Sequence, residues 1–387
     1  MWWGKRIYLD SAAGVSANPS SPHCEGREAR ELLEAARIRI ARLVEAKSDD
    51  VLFTSGATEA NALAILGVCR AWRGEGRPHM LYLPSAHASV VENVKLAEAE
   101  SAVIEALPIK NCQVDCDALR AMLCPETILV SMDAVCGETG IVWNTRDVAR
   151  TIMEVRLPLS RTSDVLHFSK SDFPRPVLHV DASQAVWTEK LLRAHFGADL
   201  MTLDASKVSS VRGIGCLIAP AFLGLIPLYA GGGQERGLRP GSEAPELART
   251  FADGLVRAVG RREDFRAAAA AARIQLVGAI RAGIPSVLVN EGASQAPHIL
   301  NISLPGRDTD YLVALLDEAG FAVSTRSACE SNSEEGSRAV FALFGDTARA
   351  AATLRISWGP ATRARDLARF AQALARAVTF VDSGQGA

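Results

Sequence analysis

The sequence predicts an α/β protein with a mostly parallel sheet, followed by a smaller α+β unit. Three observations carry this. Apolar strand-like runs alternate with helical stretches through the first half of the chain, the pattern of a parallel sheet with crossover helices. Residues 244–283, rich in Ala and Arg and poor in breakers, read as one long helix crossing between domains. Beyond it the pattern changes to short strands and a final helix. At 387 residues and 48% hydrophobic, the chain is long enough for two cores. We expect a large domain over 15–255 and a small one formed by 1–14 and 256–387.

The elements follow in order. "GREARELLEAARIRIARLVEA" (26–46) reads as helix, then "VLFTSG" (51–56), "TILVSMDAV" (127–135), "VLHVDAS" (177–183) and "GCLIAP" (215–220) as strands. Residues 156–176, "RLPLSRTSDVLHFSKSDFPRP", mix Ser, Pro and charge without a period and read as a surface insertion. After the long helix, "HILNISLP" (298–305), "FAVSTRSA" (321–328), "TLRISW" (353–358) and a helix over 363–380 make the smaller unit.

Forty-two basic against 44 acidic residues leave a formal net charge of -2, with no field for nucleic acid and no polybasic membrane patch. "MWWGKRIYLD" reaches a charge too early for a signal peptide, and no 18 apolar residues run uninterrupted, so the expectation is a cytoplasmic protein. The eight cysteines include no CxxC pair. Cys112, Cys116 and Cys124 cluster, but without a CxxC or a nearby histidine they read as reduced thiols on a helix and its flanks, not as a metal site. Cys329 differs: in "STRSACES" (324–331) its neighbours are too polar for burial, so its thiol is expected at the surface.

Three stretches carry chemistry. "FTSGATEANALAI" (53–65) runs from strand through a turn into a helix, whose first N–H groups with the Thr58 hydroxyl suit a phosphate; a turn that needs Gly56 explains it equally well. "HVDASQ" (179–184) puts Asp181 at a strand's C-terminal end, where open α/β sheets bind ligands, although helix capping accounts for it too. In "LDASKVSSVRGIGCLIAP" (203–220), Lys207 lies between a strand and a Gly-containing turn, a place where a lysine can be desolvated for imine formation or simply be solvated. A phosphate cradle, an acid for a ring nitrogen and a lysine for a Schiff base together describe pyridoxal 5'-phosphate.

With "YLDSAA" (8–13), "NPSSPHCEGR" (18–27), "SAHASVVENV" (85–94), "GETGIV" (137–142), "GGGQERGLRPGS" (231–242), "SACES" (327–331) and "LRISWG" (354–359) in the same order, the chain resembles the cysteine desulfurases, within the class V aminotransferase group of fold type I enzymes. The resemblance implies that Lys207 forms the Schiff base, Asp181 pairs the ring nitrogen, Gln184 contacts the ring hydroxyl, and His87 stacks on the ring and moves protons. The phosphate falls to Thr58, Ser206 and the 56–58 backbone, Ala57 included, with Ser242 of a partner subunit where the family usually has Thr. Arg355 takes the substrate carboxylate and Cys329 is the nucleophile. L-cysteine would yield L-alanine and a Cys329 persulfide, in a homodimer that hands sulfur to an acceptor or iron-sulfur scaffold protein, with nucleic acid involved only indirectly through tRNA thiolation and no membrane partner. Selenocysteine lyase or another β-elimination is the alternative activity, and a non-catalytic sulfur-trafficking partner the alternative class.

Some positions depart from the family. Ser206 precedes the lysine where His is usual, Arg326 stands where Gly is usual, and Cys136-Gly137 replaces an Asn pair, so that an Asn expected to help hold the substrate carboxylate is missing. The segment before "NPSS" is shortened. Asp204 replaces a Ser near the phosphate. A carboxylate there is expected to turn away, bonding to a backbone N–H or pairing with Arg212.

Overall fold

The structure is a computed structural model that describes residues 7–14, 17–74, 76–155, 175–325 and 336–384. Cys329, Arg326 and residues 156–174 of the expected insertion lie outside the described residues.

Helix α1 (Cys24–Val44) leads into β1 (Val51–Thr54), α2 (Ala57–Ala71), β2 (His79–Tyr82), α3 (Ala88–Ala99) and β3 (Val103–Ala106). A small hairpin, β4 (Ile109–Lys110) and β5 (Gln113–Val114), precedes α4 (Cys116–Met122), β6 (Thr127–Asp133), α5 (Thr145–Glu154) and β7 (Val177–Asp181). Helix α6 (Arg193–Phe196), β8 (Leu200–Asp204) and β9 (Gly215–Ile218) complete this part. Seven strands form one sheet in the order β1-β9-β8-β7-β6-β2-β3. Strand β9 runs antiparallel to both neighbours and every other pairing is parallel. Strands β1, β6 and β7 are buried at every position, because helices cover both faces of a parallel sheet. That is why these strands read as continuous apolar runs without alternation.

The long helix α7 (Pro245–Gly283) starts with proline at its first position, where a missing N–H costs nothing. Its first half gives Ala248, Phe251, Ala252, Leu255 and Ala258 to the core around the large sheet. Its second half gives Phe265, Ala269, Leu276 and Ile280 to a second core. That core lies against an antiparallel sheet of β10 (Leu288–Val289), β11 (Ile299–Ser303) and β12 (Thr353–Ser357), with helices α8 (Thr309–Glu318) and α11 (Ala364–Gly384), while α9 (Arg338–Phe344), followed by α10 (Thr347–Ala351), gives Ala339 to the first core. Of the run 321–328, the described part adds one bridge, Ser324 to Arg355. Near the N-terminus, the Asp10 carboxylate accepts from the Ser21 hydroxyl at 2.7 Å and lies 3.1 Å from His23, the residue that caps α1.

Among the described residues no helix is long and apolar enough to cross a membrane, and no group of His, Cys, Asp and Glu is arranged to hold a metal ion. Cys116 opens α4, and Cys112 and Cys124 flank that helix.

Candidate active site

Strands β1, β6, β7 and β8 all run the same way, so their C-terminal ends and the loops after them share one edge of the sheet. Facing this edge are β12 of the smaller sheet and α9. Between them is a cavity of about 760 Å³ lined by Ala57, Thr58, His87, Asp181, Gln184, Ser206, Lys207 and Arg355. These are all the residues expected from the sequence except two. Cys329 is outside the described residues. Ser242 does not line its own chain's cavity; it is exposed, and its hydroxyl accepts from the Asn18 amide at 3.4 Å.

Asp181 ends β7 and is only 7% exposed. Its Oδ2 accepts from the Asn61 amide at 2.8 Å and its Oδ1 from the Ser183 N–H at 2.9 Å. Among the described residues no cation pairs with it. The histidine two positions back, His179, sits between the hydroxyls of Ser131 and Thr202, and burial pushes its pKa down to about 4, so it is neutral. A buried carboxylate without a counter-charge is costly.

Asn61 carries the network onward. Its Nδ2 also donates to Ser89 Oγ at 2.8 Å, and Ser89 Oγ is 2.8 Å from His87 Nδ1. The Ser89 N–H donates to the same Nδ1 at 3.2 Å, which assigns the ring proton of neutral His87 to Nε2. His87 is thus the cap of α3 as well as a lining residue, its backbone N–H donating to Asp133 at 3.2 Å.

Asp133 was not anticipated, although it closes β6 just as Asp181 closes β7, and the register sets the two side by side. It is 4% exposed, and burial together with the Asp181 charge pushes its carboxyl well above the usual carboxylate range. Arg338 was not anticipated either. From the first turn of α9 it donates to the carbonyls of Pro84 and Ala86, fastening that helix to the loop that carries His87. Ser85 Oγ and Ser183 Oγ are buried polar atoms without partners among the described residues, and both residues line the cavity.

On the side of the smaller sheet, Arg355 on β12 reaches Gly137 O at 3.4 Å. A Cβ at Gly137 would lie 3.1 Å from Gln184 Nε2, so the absent Asn side chain and the position of Gln184 belong together. Burial, followed by the Asp133 charge, pushes the Cys136 thiol up to about 11, and its sulfur accepts from the Thr139 N–H at 3.5 Å. Such a thiol is not a nucleophile at neutral pH.

At the other end, Asp204 does bond to backbone N–H groups and forms no ion pair with Arg212. The groups it bonds to are those expected for phosphate: Oδ2 accepts from the Ala57 N–H at 2.9 Å and Oδ1 from the Ser206 N–H at 2.7 Å. Turning toward the backbone puts the carboxylate into the cradle. Gly56 adopts φ +152°, a conformation that side-chain-bearing residues avoid, and a Cβ there would meet Asp204 Oδ2 at 3.4 Å.

The residues fit pyridoxal phosphate at the ring. Asp181 needs a cation, which a protonated ring nitrogen supplies, and Lys207 follows β8 on the same cavity. At the phosphate, Thr58 and Ser206 offer hydroxyls that bond to no other described residue, while Asp204 holds two of the N–H groups.

The fold and the cavity define the class: fold type I enzymes of pyridoxal phosphate. The chain belongs to the aminotransferase class-V family, whose model matches residues 6–158 and 174–370 and breaks within the expected insertion. A NifS-like protein of known structure superposes with a TM-score of 0.82, covering 94% of this chain and 92% of that one at 23% identity. DndA from Streptomyces lividans gives a TM-score of 0.71, covering 91% and 94% at 26% identity. The cysteine desulfurase IscS of Buchnera aphidicola is 31% identical, over 92% of this chain and 83% of that protein. Cysteine desulfurase IscS 1 of Archaeoglobus fulgidus is 28% identical, over 92% and 88%.

Proposed function

We propose that this protein is a cysteine desulfurase that uses pyridoxal phosphate to convert L-cysteine to L-alanine. The observation that carries this is one cavity that gathers Lys207, Asp181, His87 and Arg355 from four separate parts of the chain. The curated relatives named cysteine desulfurases, matched over most of the chain, support the same reading. When bound, the cofactor supplies an electron sink for bond breaking in the amino acid.

The chain's own residues do the rest. Asp181 holds a ring cation, and Asn61 holds Asp181. Lys207 would hold the cofactor through its side-chain amine. Arg355 offers the substrate carboxylate two parallel N–H donors, which orients the amino acid. His87, with its proton on Nε2 and Nδ1 held by Ser89, is placed to move protons at the cavity wall. Cys329 as thiolate attacks the substrate sulfur: the S–S bond forms as the C–S bond breaks, the carbon keeps the electron pair, and protonation makes it the alanine methyl. The sulfur remains as a Cys329 persulfide, whose polar surroundings in sequence suit delivery to an acceptor protein.

We further place the protein in the cytoplasm as a homodimer, in which Ser242 serves the partner's phosphate. An absorbance band near about 400 nm in the purified protein, followed by L-cysteine and a quantitative assay for alanine, tests the reading. Pyruvate in place of alanine would overturn it in favour of β-elimination, and alanine released only from selenocysteine would make the protein a selenocysteine lyase.

A further inference from the structure

The phosphate end of the cavity is built like an anion site that already has an occupant. Helix α2 runs for 15 residues and presents its N-terminus to the cavity. Its first N–H, at Ala57, donates to one oxygen of Asp204, and the N–H of Ser206 donates to the other. A carboxylate with one oxygen on each of two converging N–H groups has the arrangement that two phosphate oxygens would take. The occupant is part of the chain: Asp204 is the last residue of β8, and its Cα is fixed by pairing with Gly215. Glycine at 56 leaves 3.4 Å between Asp204 Oδ2 and the place of a Cβ, so the turn fits against the carboxylate. No described cation is paired with Asp204, and Arg212, on the same cavity wall, forms no ion pair with any described residue.

Resting on the reading of this cavity as a pyridoxal phosphate site, we propose that Asp204 is a built-in occupant of the phosphate cradle that sets which form of the cofactor the site prefers. Phosphate enters only where Asp204 gives up the Ala57 and Ser206 N–H groups or tolerates a second anion beside it. The contribution of the phosphate to binding is therefore small in this protein. The ring contacts, Asp181 above all, carry the affinity, and the neutral hydroxymethyl group of an unphosphorylated vitamer is accepted nearly as well.

The test compares pyridoxamine 5'-phosphate with pyridoxamine. They differ only in the phosphate, and neither has an aldehyde to react with Lys207, so equilibrium dialysis of the full chain reads non-covalent binding alone. In the unaltered protein the two are expected to bind within about tenfold of each other, with inorganic phosphate a poor competitor. Asp204→Ser, which restores a hydroxyl and removes the charge, is expected to raise affinity for the phosphorylated probe by about tenfold or more and to leave pyridoxamine unchanged. Asp204→Asn, which keeps one acceptor oxygen and the shape, is expected to give part of that gain. A preference for the phosphorylated probe above about a hundredfold in the unaltered protein would overturn the proposal without any variant. So would equal or weaker binding of that probe by folded Asp204→Ser. Failure of the underlying reading looks different: neither probe binds, and borohydride reduction with pyridoxal phosphate labels lysines at random.

Discussion

The Asn61 amide nitrogen lies 2.8 Å from an oxygen of the Asp181 carboxylate, and no cation of the described residues comes as near. One amide therefore orients the acid that we propose binds a ring nitrogen. Through its other hydrogen it also reaches Ser89 and so His87. Asn61→Leu keeps the volume and deletes both bonds. Cofactor affinity should fall by the about 1 to 3 kcal/mol of lost hydrogen bonds to a charged group, with the fold retained. A titration by cofactor absorbance that matched the unaltered protein would remove Asn61 from the site.

Lys207→Ala should end covalent capture of pyridoxal phosphate. Borohydride reduction followed by peptide mapping is expected to label Lys207 in the unaltered protein and no peptide strongly in the variant. Strong labelling of another lysine in the unaltered protein would take the anchoring role away from residue 207.

Cys329→Ser should still bind cofactor and L-cysteine while alanine formation drops at least about a hundredfold, because a hydroxyl is a poor acceptor of sulfur. Cys136→Ala should remain active, since the Cys136 thiol is buried and its pKa is pushed up to about 11. Sustained turnover by the first variant would exclude Cys329 as the nucleophile.

Asp133 predicts a specific pH dependence. Its carboxyl is held up by burial and by Asp181, so the folded chain keeps a proton that the unfolded chain releases. Its contribution to stability is fully present below the ordinary carboxylate value and is lost as pH rises toward the raised one, at up to about 1.4 kcal/mol per pH unit in that window. Asp133→Asn retains an acceptor for the His87 N–H and removes the titration. Its Tm minus that of the unaltered protein should therefore increase from acid to neutral pH. Parallel melting curves across that range would show that Asp133 ionises freely.

Glu235 ties the 231–242 segment to the large unit. It takes a two-point grip from Arg37, at 2.7 and 2.8 Å, and also accepts from the Phe53 N–H. Arg37→Leu leaves that carboxylate buried and should cost about 3 to 5 kcal/mol, whereas adding Glu235→Gln should recover part of the loss. Denaturant unfolding of both variants checks this, and a cost below about 1 kcal/mol for the single change would mean that the pair is solvated.

Residues that a local pattern singles out in the sequence include three that line the cavity. Lys207, Asp181 and Thr58 each stand where a strand-like run gives way to a turn, and the chemistry of their side chains restricts what they can do there. Asp133 satisfies the same rule in "TILVSMDAV", yet its significance depends on β6 pairing with β7 so that two acids become neighbours. Asn61 and Arg338 had no local signal, because each acts on a partner far away in the chain. For Asp204 the sequence argued that the carboxylate would bond a backbone N–H or pair with Arg212, and only the fold decided that the N–H groups it takes are those of Ala57 and Ser206, where phosphate is expected.

Alternating strand and helix patterns, the long helix over 244–283 and the order of the motifs were determined by the sequence alone, since period and breakers act over a few residues. Which side chains meet in the cavity was decided only by the tertiary structure. The parallel register brings the ends of β1, β6, β7 and β8 to one edge, and the distances at that edge decide which neighbour or backbone N–H each charged group meets.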